Sequence, residues 1–81
     1  MITQKQAMEI AGERLRDAGI AGLSLVAAAE NRLAAWRVGL VKDDLEVGSI
    51  YISYYSGTIN EFLSTDLTYL GDYSEQRHEH D

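Results

Sequence analysis

Eighty-one residues with no cysteine, 46% hydrophobic residues and a net charge of −6 make one small domain and exclude disulfides and thiolate metal sites as its staples. Nucleic-acid binding needs clustered Lys and Arg to neutralise phosphates, and seven bases against thirteen acids argue against that class of partner. The longest weakly apolar stretch, "IAGLSLVAAA", is too short to span a membrane, and "MITQKQAMEI" lacks the basic start and apolar run of a secretion signal, so a cytoplasmic chain is expected.

Thr3 and Gln6 have the spacing of a capping box. Behind them Ala7, Ile10, Ala11, Leu15 and Ala18 recur at helical spacing, Glu9, Glu13, Arg16 and Asp17 fall elsewhere on the wheel, and Gly19 suits a left-handed stop. The period then changes. "LSLVAAA" (Leu23 to Ala29) reads as a strand and "ENR" as a turn. "LAAWRVGLV" reads as a second strand with Trp36, Val38 and Leu40 on the core face and Arg37 on the other. Asp43 and Asp44 are turn formers. "SIYISYY" alternates again, with Ile50, Ile52 and Tyr54 inward and Tyr51, Ser53 and Tyr55 outward.

Ser56-Gly57 signals a hairpin, and "TINEFL" reads as a fourth strand. A two-residue loop puts Ile59, Glu61 and Leu63 on the core face. A bulged three-residue loop turns Glu61 outward and brings Phe62 in at the expense of Ile59. The bulged form is preferred, because burying an unpaired carboxylate costs more than exposing an isoleucine. Ser64 to Asp66 start a turn, Leu67 and Leu70 are anchors, and "SEQRHEHD", without an apolar residue, reads as a disordered acidic tail. The expected fold is therefore α+β: a single domain over residues 1–73 with an N-terminal helix packed on a four-stranded antiparallel meander, and a tail over 74–81. One helix covers one face only. The other carries Val26, Arg37, Val41, Tyr51 and Tyr55.

The helix "ITQKQAMEIA", the Trp-centred strand "WRVGL" and the strand ending in "YYSGTI" resemble two related patterns over about residues 2–63. One is the PepSY-like module, from which Tyr54 and Ser56 depart at the closing hairpin. The other is the group of small immunity proteins of bacterial polymorphic-toxin systems, including immunity-protein-35 and cystatin-like forms. The second resemblance implies a cystatin-like form of that meander and a non-enzymatic inhibitor that occludes a toxin. The first implies a peptidase-binding module.

Charge is divided unequally along the chain. Residues 1–42 hold six bases and four acids, whereas residues 43–81 hold nine acids and Arg77 alone. All five tyrosines lie in the acidic half. Tyrosines ringed by acids suit the centre of an interface with a basic protein, and the expected contacts are Asp43, Asp44, Glu46, Tyr51, Tyr55 and Glu61. The alternative is a homodimer that buries the uncovered sheet face against its own copy. No cofactor, metal site or catalytic set is expected: His78 and His80 fall in the tail, away from any positioned serine.

Overall fold

The computed structural model describes residues 1–73, and the tail, with His78 and His80, lies outside them. The described chain forms helix α1 (Gln4–Asp17), strands β1 (Ser24–Glu30), β2 (Ala35–Lys42) and β3 (Leu45–Ser53), and two 3-10 segments, Asn31–Leu33 and Leu67–Tyr73. The strands make one antiparallel sheet in the order β1-β2-β3. No helix among the described residues is long and apolar enough to cross a membrane.

Helix α1 begins and ends as its sequence dictates. Thr3 Oγ1 accepts from the Gln6 amide, and Gln6 Oε1 accepts from the Thr3 amide, closing the capping box. At the other end Gly19 takes a φ of 73°, its N–H donates to Arg16 O, and the Ile20 N–H donates to Leu15 O. This is the Schellman pattern, with Ile20 and Leu15 both buried to seal it. Ala7, Ala11 and Leu15 form the buried stripe. The two alanines let α1 settle closely over β1 and β2, and Leu15 packs into the core.

The core is Val38 and Leu40 from β2, Ile50 and Ile52 from β3, the stripe of α1, and Leu70 from the last 3-10 segment. Leu70 therefore anchors as expected. Trp36 and Tyr54 meet edge to face with centroids 5.4 Å apart. Each satisfies its polar end, Trp36 Nε1 by donating to Ile2 O and the Tyr54 hydroxyl by donating to Asn31 Oδ1.

The expected fourth strand is not formed: the sheet has three strands, and "TINEFL" contributes a single bridge, Ile52 with Ile59. Beyond it Asn60 takes over the main chain. Its side-chain oxygen accepts from the amides of Phe62 and Leu63, and its carbonyl accepts from Ser64. That local turn outcompetes the ladder. The expected bulged register is corrected with it. Ile59 packs against the core, whereas Phe62 is 100% exposed.

What replaces the fourth strand still closes the edge of β3. The Ser49, Tyr51 and Ser53 groups point away from β2, and each finds a partner in residues 58–65. Ser64 Oγ and Thr65 Oγ1 accept from the amides of Tyr51 and Ser49. Three further bonds run main chain to main chain: Ser53 N–H donates to Thr58 O, Asn60 N–H to Tyr51 O and Thr65 N–H to Ser49 O. An edge that would otherwise template further pairing is covered.

Candidate functional site

Side chains alternate across the sheet, so Arg37, Gly39 and Val41 of β2 share the outer face with Tyr51 and Ser49 of β3. Glu46 would fall on the inner face by simple alternation. The register shifts between Leu40 and Val41, so that Leu40 pairs with Gly48 and Val41 with Glu46, leaving Val47 unpaired. This bulge exchanges two side chains between faces. Val47 turns to pack against the core, and Glu46 is delivered to the outer face.

There Glu46 meets Arg37 in a two-pronged pair, Nη1 to Oε1 and Nη2 to Oε2, both 2.7 Å. Arg37 Nε donates to the Tyr51 hydroxyl at 3.1 Å, and the guanidinium lies 5.9 Å from the Tyr51 ring centre. The hydrogen bond from Arg37 holds the Glu46 carboxyl below the ordinary glutamate range, and the same bond raises Arg37 further above its already high value. Glycine at 39 is required by this arrangement. A Cβ there would stand 2.5 Å from Glu46 Oε1, in the path of the carboxylate as it crosses β2.

The six expected contact residues fall in three places. Asp43 and Asp44 form the exposed tip of the β2–β3 hairpin. Glu46 and Tyr51 are brought together by Arg37 in the middle of the outer face. Tyr55 is 75% exposed in the turn after β3, about 30 Å from the hairpin tip along a nine-residue strand. Glu61 leaves this line: it pairs with Arg14 of α1 at 2.8 Å on the helix side. Sequence reasoning left out Arg37 as the hub and Phe62 as an exposed aromatic. The capped turn at Asn60 was the available signal for the second.

On the helix side, α1 rests on β1 and β2, and a cleft of about 350 Å³ remains between Arg14, Ile50 and the segment from Glu61 to Thr68. Asp66 sits there, its carboxyl lowered by the Thr68 amide and then by the Thr68 hydroxyl. The cleft offers no nucleophile beside a base. Its Ser64 and Thr65 hydroxyls are engaged in closing the β3 edge. Among the described residues no three His, Cys, Asp or Glu side chains gather closely enough to hold a metal ion. No protein-family model matches the chain, and no curated protein or solved structure is significantly similar to it.

Proposed function

We propose that the chain is a non-catalytic protein-binding domain of the immunity or inhibitor kind, which neutralises a basic toxin by covering its active surface. The observation that carries this reading is the pair of aromatic side chains held in solvent on hydrogen-bonded turns. The backbone at Phe62 is held by the Asn60 turn, and that at Tyr55 by its amide donating to Ser53 Oγ. A side chain of that size left in water on a pre-organised turn is suited to anchor a partner, because little backbone freedom remains to be lost on binding. Asp43 and Asp44, outside any ion pair among the described residues, supply the steering charge. Glu46 is neutralised by Arg37 and acts with Tyr51 as a rigid platform rather than as an attractor. Glu61, tied to Arg14, lies at the margin.

Affinity capture from the native lysate at low salt tests this. A single basic protein should be retained and released by salt. Tyr55→Ala and Phe62→Ser should lose it at unchanged fold, chiefly through faster dissociation. Equal retention by both variants, or retention insensitive to salt, overturns the reading. Concentration-dependent sedimentation with nothing else retained would instead favour the homodimer.

A further inference from the structure

The second edge of the sheet is finished quite differently from the first. On β2 the main-chain groups of Trp36, Val38 and Leu40 face β3, since their partners there are the residues opposite Ser49 and Tyr51 in alternation. Those of Ala35, Arg37, Gly39 and Val41 therefore face β1, where they meet Glu30, Ala28, Val26 and Ser24. The N–H and C=O groups of Leu25, Ala27 and Ala29 consequently point out of the sheet. Among the described residues one of them is used: Ala27 O accepts from Gln4 Nε2 at 2.7 Å. A side-chain amide thus occupies at Ala27 the place of a strand's own N–H. Apart from this one cap, β1 lacks the guards of an open edge that a strand carries itself: it has no proline, lysine or bulge, and three consecutive alanines let another chain approach closely.

A groove of about 560 Å³ runs between α1 and this edge, with Met8, Gly12 and Leu25 as its apolar floor. A second hollow of about 270 Å³ shares Gly12 and Leu25 and extends it towards Leu15 and Ile20. Gly12 lies inside a 14-residue helix, where glycine is among the poorest residues for stability. Packing does not require it. A Cβ at this position would meet Leu25 Cδ1 alone, at an ordinary 3.8 Å. What the missing side chain leaves open is the groove.

We propose that the β1 edge and this groove take an extended segment of a partner protein as an added strand. Its main chain accepts from the outward N–H groups of Leu25, Ala27 and Ala29 and displaces Gln4 from Ala27 O, and one large apolar side chain lies over Gly12 between Met8 and Leu25. The rim of the groove is Lys5, Glu9, Glu13 and Arg16, none of them in an ion pair among the described residues. The order base, acid, acid, base decides the occupant. Its two acids, Glu9 and Glu13, stand beside Gly12 in the middle of the groove, and the bases lie at its ends. The edge therefore suits a foreign strand whose apolar residue, seated over Gly12, is flanked by Lys or Arg facing those acids.

Ten-residue peptides, near the upper end of strand length at about 30 Å, would be selected from a random phage-displayed library on the wild-type chain and then synthesised. The selected peptides should share a large apolar residue beside a base, and should shift and protect the amides of Leu25, Ala27 and Ala29 in NMR spectra. Gly12→Leu, which fills the groove, should weaken binding about tenfold or more. Ala29→Pro provides a second variant that leaves the groove alone, because the N–H it removes bonds nothing in the sheet. Both variants are checked for a native spectrum first. Tyr55→Ala should leave peptide binding unchanged, which separates this edge from the acidic surface proposed above. The proposal is overturned if no peptide is enriched on wild type over Gly12→Leu, if both variants bind as wild type does, or if the shifts fall on β3. A concentration-dependent dimer abolished by Gly12→Leu would overturn it in favour of a second copy.

Discussion

The β2–β3 hairpin turns on Asp43 and Asp44, which have φ values of 52° and 66° between the paired residues Lys42 and Leu45. Positive φ at both central positions marks a type I′ turn, for which Asn-Gly is the favoured sequence. An ordinary L-residue in this region loses about 1–2 kcal/mol, and aspartate loses less because its short side chain bonds locally. Glycine at the second position removes the strain but costs about 0.5–1 kcal/mol in unfolded-chain freedom. The balance for Asp43→Asn with Asp44→Gly is a stabilisation of about 0.5–1 kcal/mol, including relief of the adjacent like charges. In a domain this small that raises Tm by about 4 °C. Urea unfolding followed by Trp36 fluorescence, with calorimetry beside it, measures both. The midpoint should rise with an unchanged slope. A lower midpoint would refute the turn assignment, and a changed slope would move the effect to the unfolded state. The same substitutions remove two charges assigned to partner steering, so association with the basic partner should slow and lose salt dependence while the fold gains stability. Unaltered association would remove Asp43 and Asp44 from the interface.

Gly39→Ala should displace the Glu46 carboxylate from Arg37, and a carbon-detected NMR titration should find the Glu46 pKa returned to the ordinary range. Because that pKa is depressed in the folded chain, its contribution to stability is present above the unfolded pKa and lost as pH falls through the folded one. Acid unfolding of wild type should therefore be steeper there than that of Gly39→Ala. Tyr54→Phe keeps the ring against Trp36 but deletes the bond to Asn31, and should cost about 1 kcal/mol in urea unfolding. Ile52→Ala, at a side chain with no exposure, should cost about 2–5 kcal/mol and bring the domain close to its unfolding threshold.

Much of the fold is legible in the residues because several levels agree. Thr3 and Gln6, the alanine stripe and Gly19 each point to the same helix, and each is found in its role. Trp36, Val38 and Leu40 alternate without interruption, so β2 faces the way its pattern requires. Legibility stops where a local bond defeats a pattern. "TINEFL" alternates well enough for a strand, but Asn60 can bond the amides of Phe62 and Leu63 within a single turn, and the long-range ladder then has nothing left to pair. The site suffers for the same reason. Glu46 reaches the outer face through a bulge at Val47 that no periodicity announces, and Arg37 becomes its partner only once that happens. The open edge of β1 is another such case. It depends on which residues of β2 turn their amides towards β3, a property of the register and not of composition.

The ties at Ile2 set an order on how the chain can become a domain as it is made. The carbonyl of Ile2 is held by Trp36, 34 residues further on, its amide by Tyr54, and the core lacks Leu70 until nearly the whole described chain exists. At a synthesis rate of about 5–20 residues per second the capped helix precedes its last anchors by several seconds. A marginal helix of 14 residues must hold its alanine stripe in water during that time. The first element of the described chain is thus among the last to be locked, and its capping box and Schellman turn are local supports it brings with it.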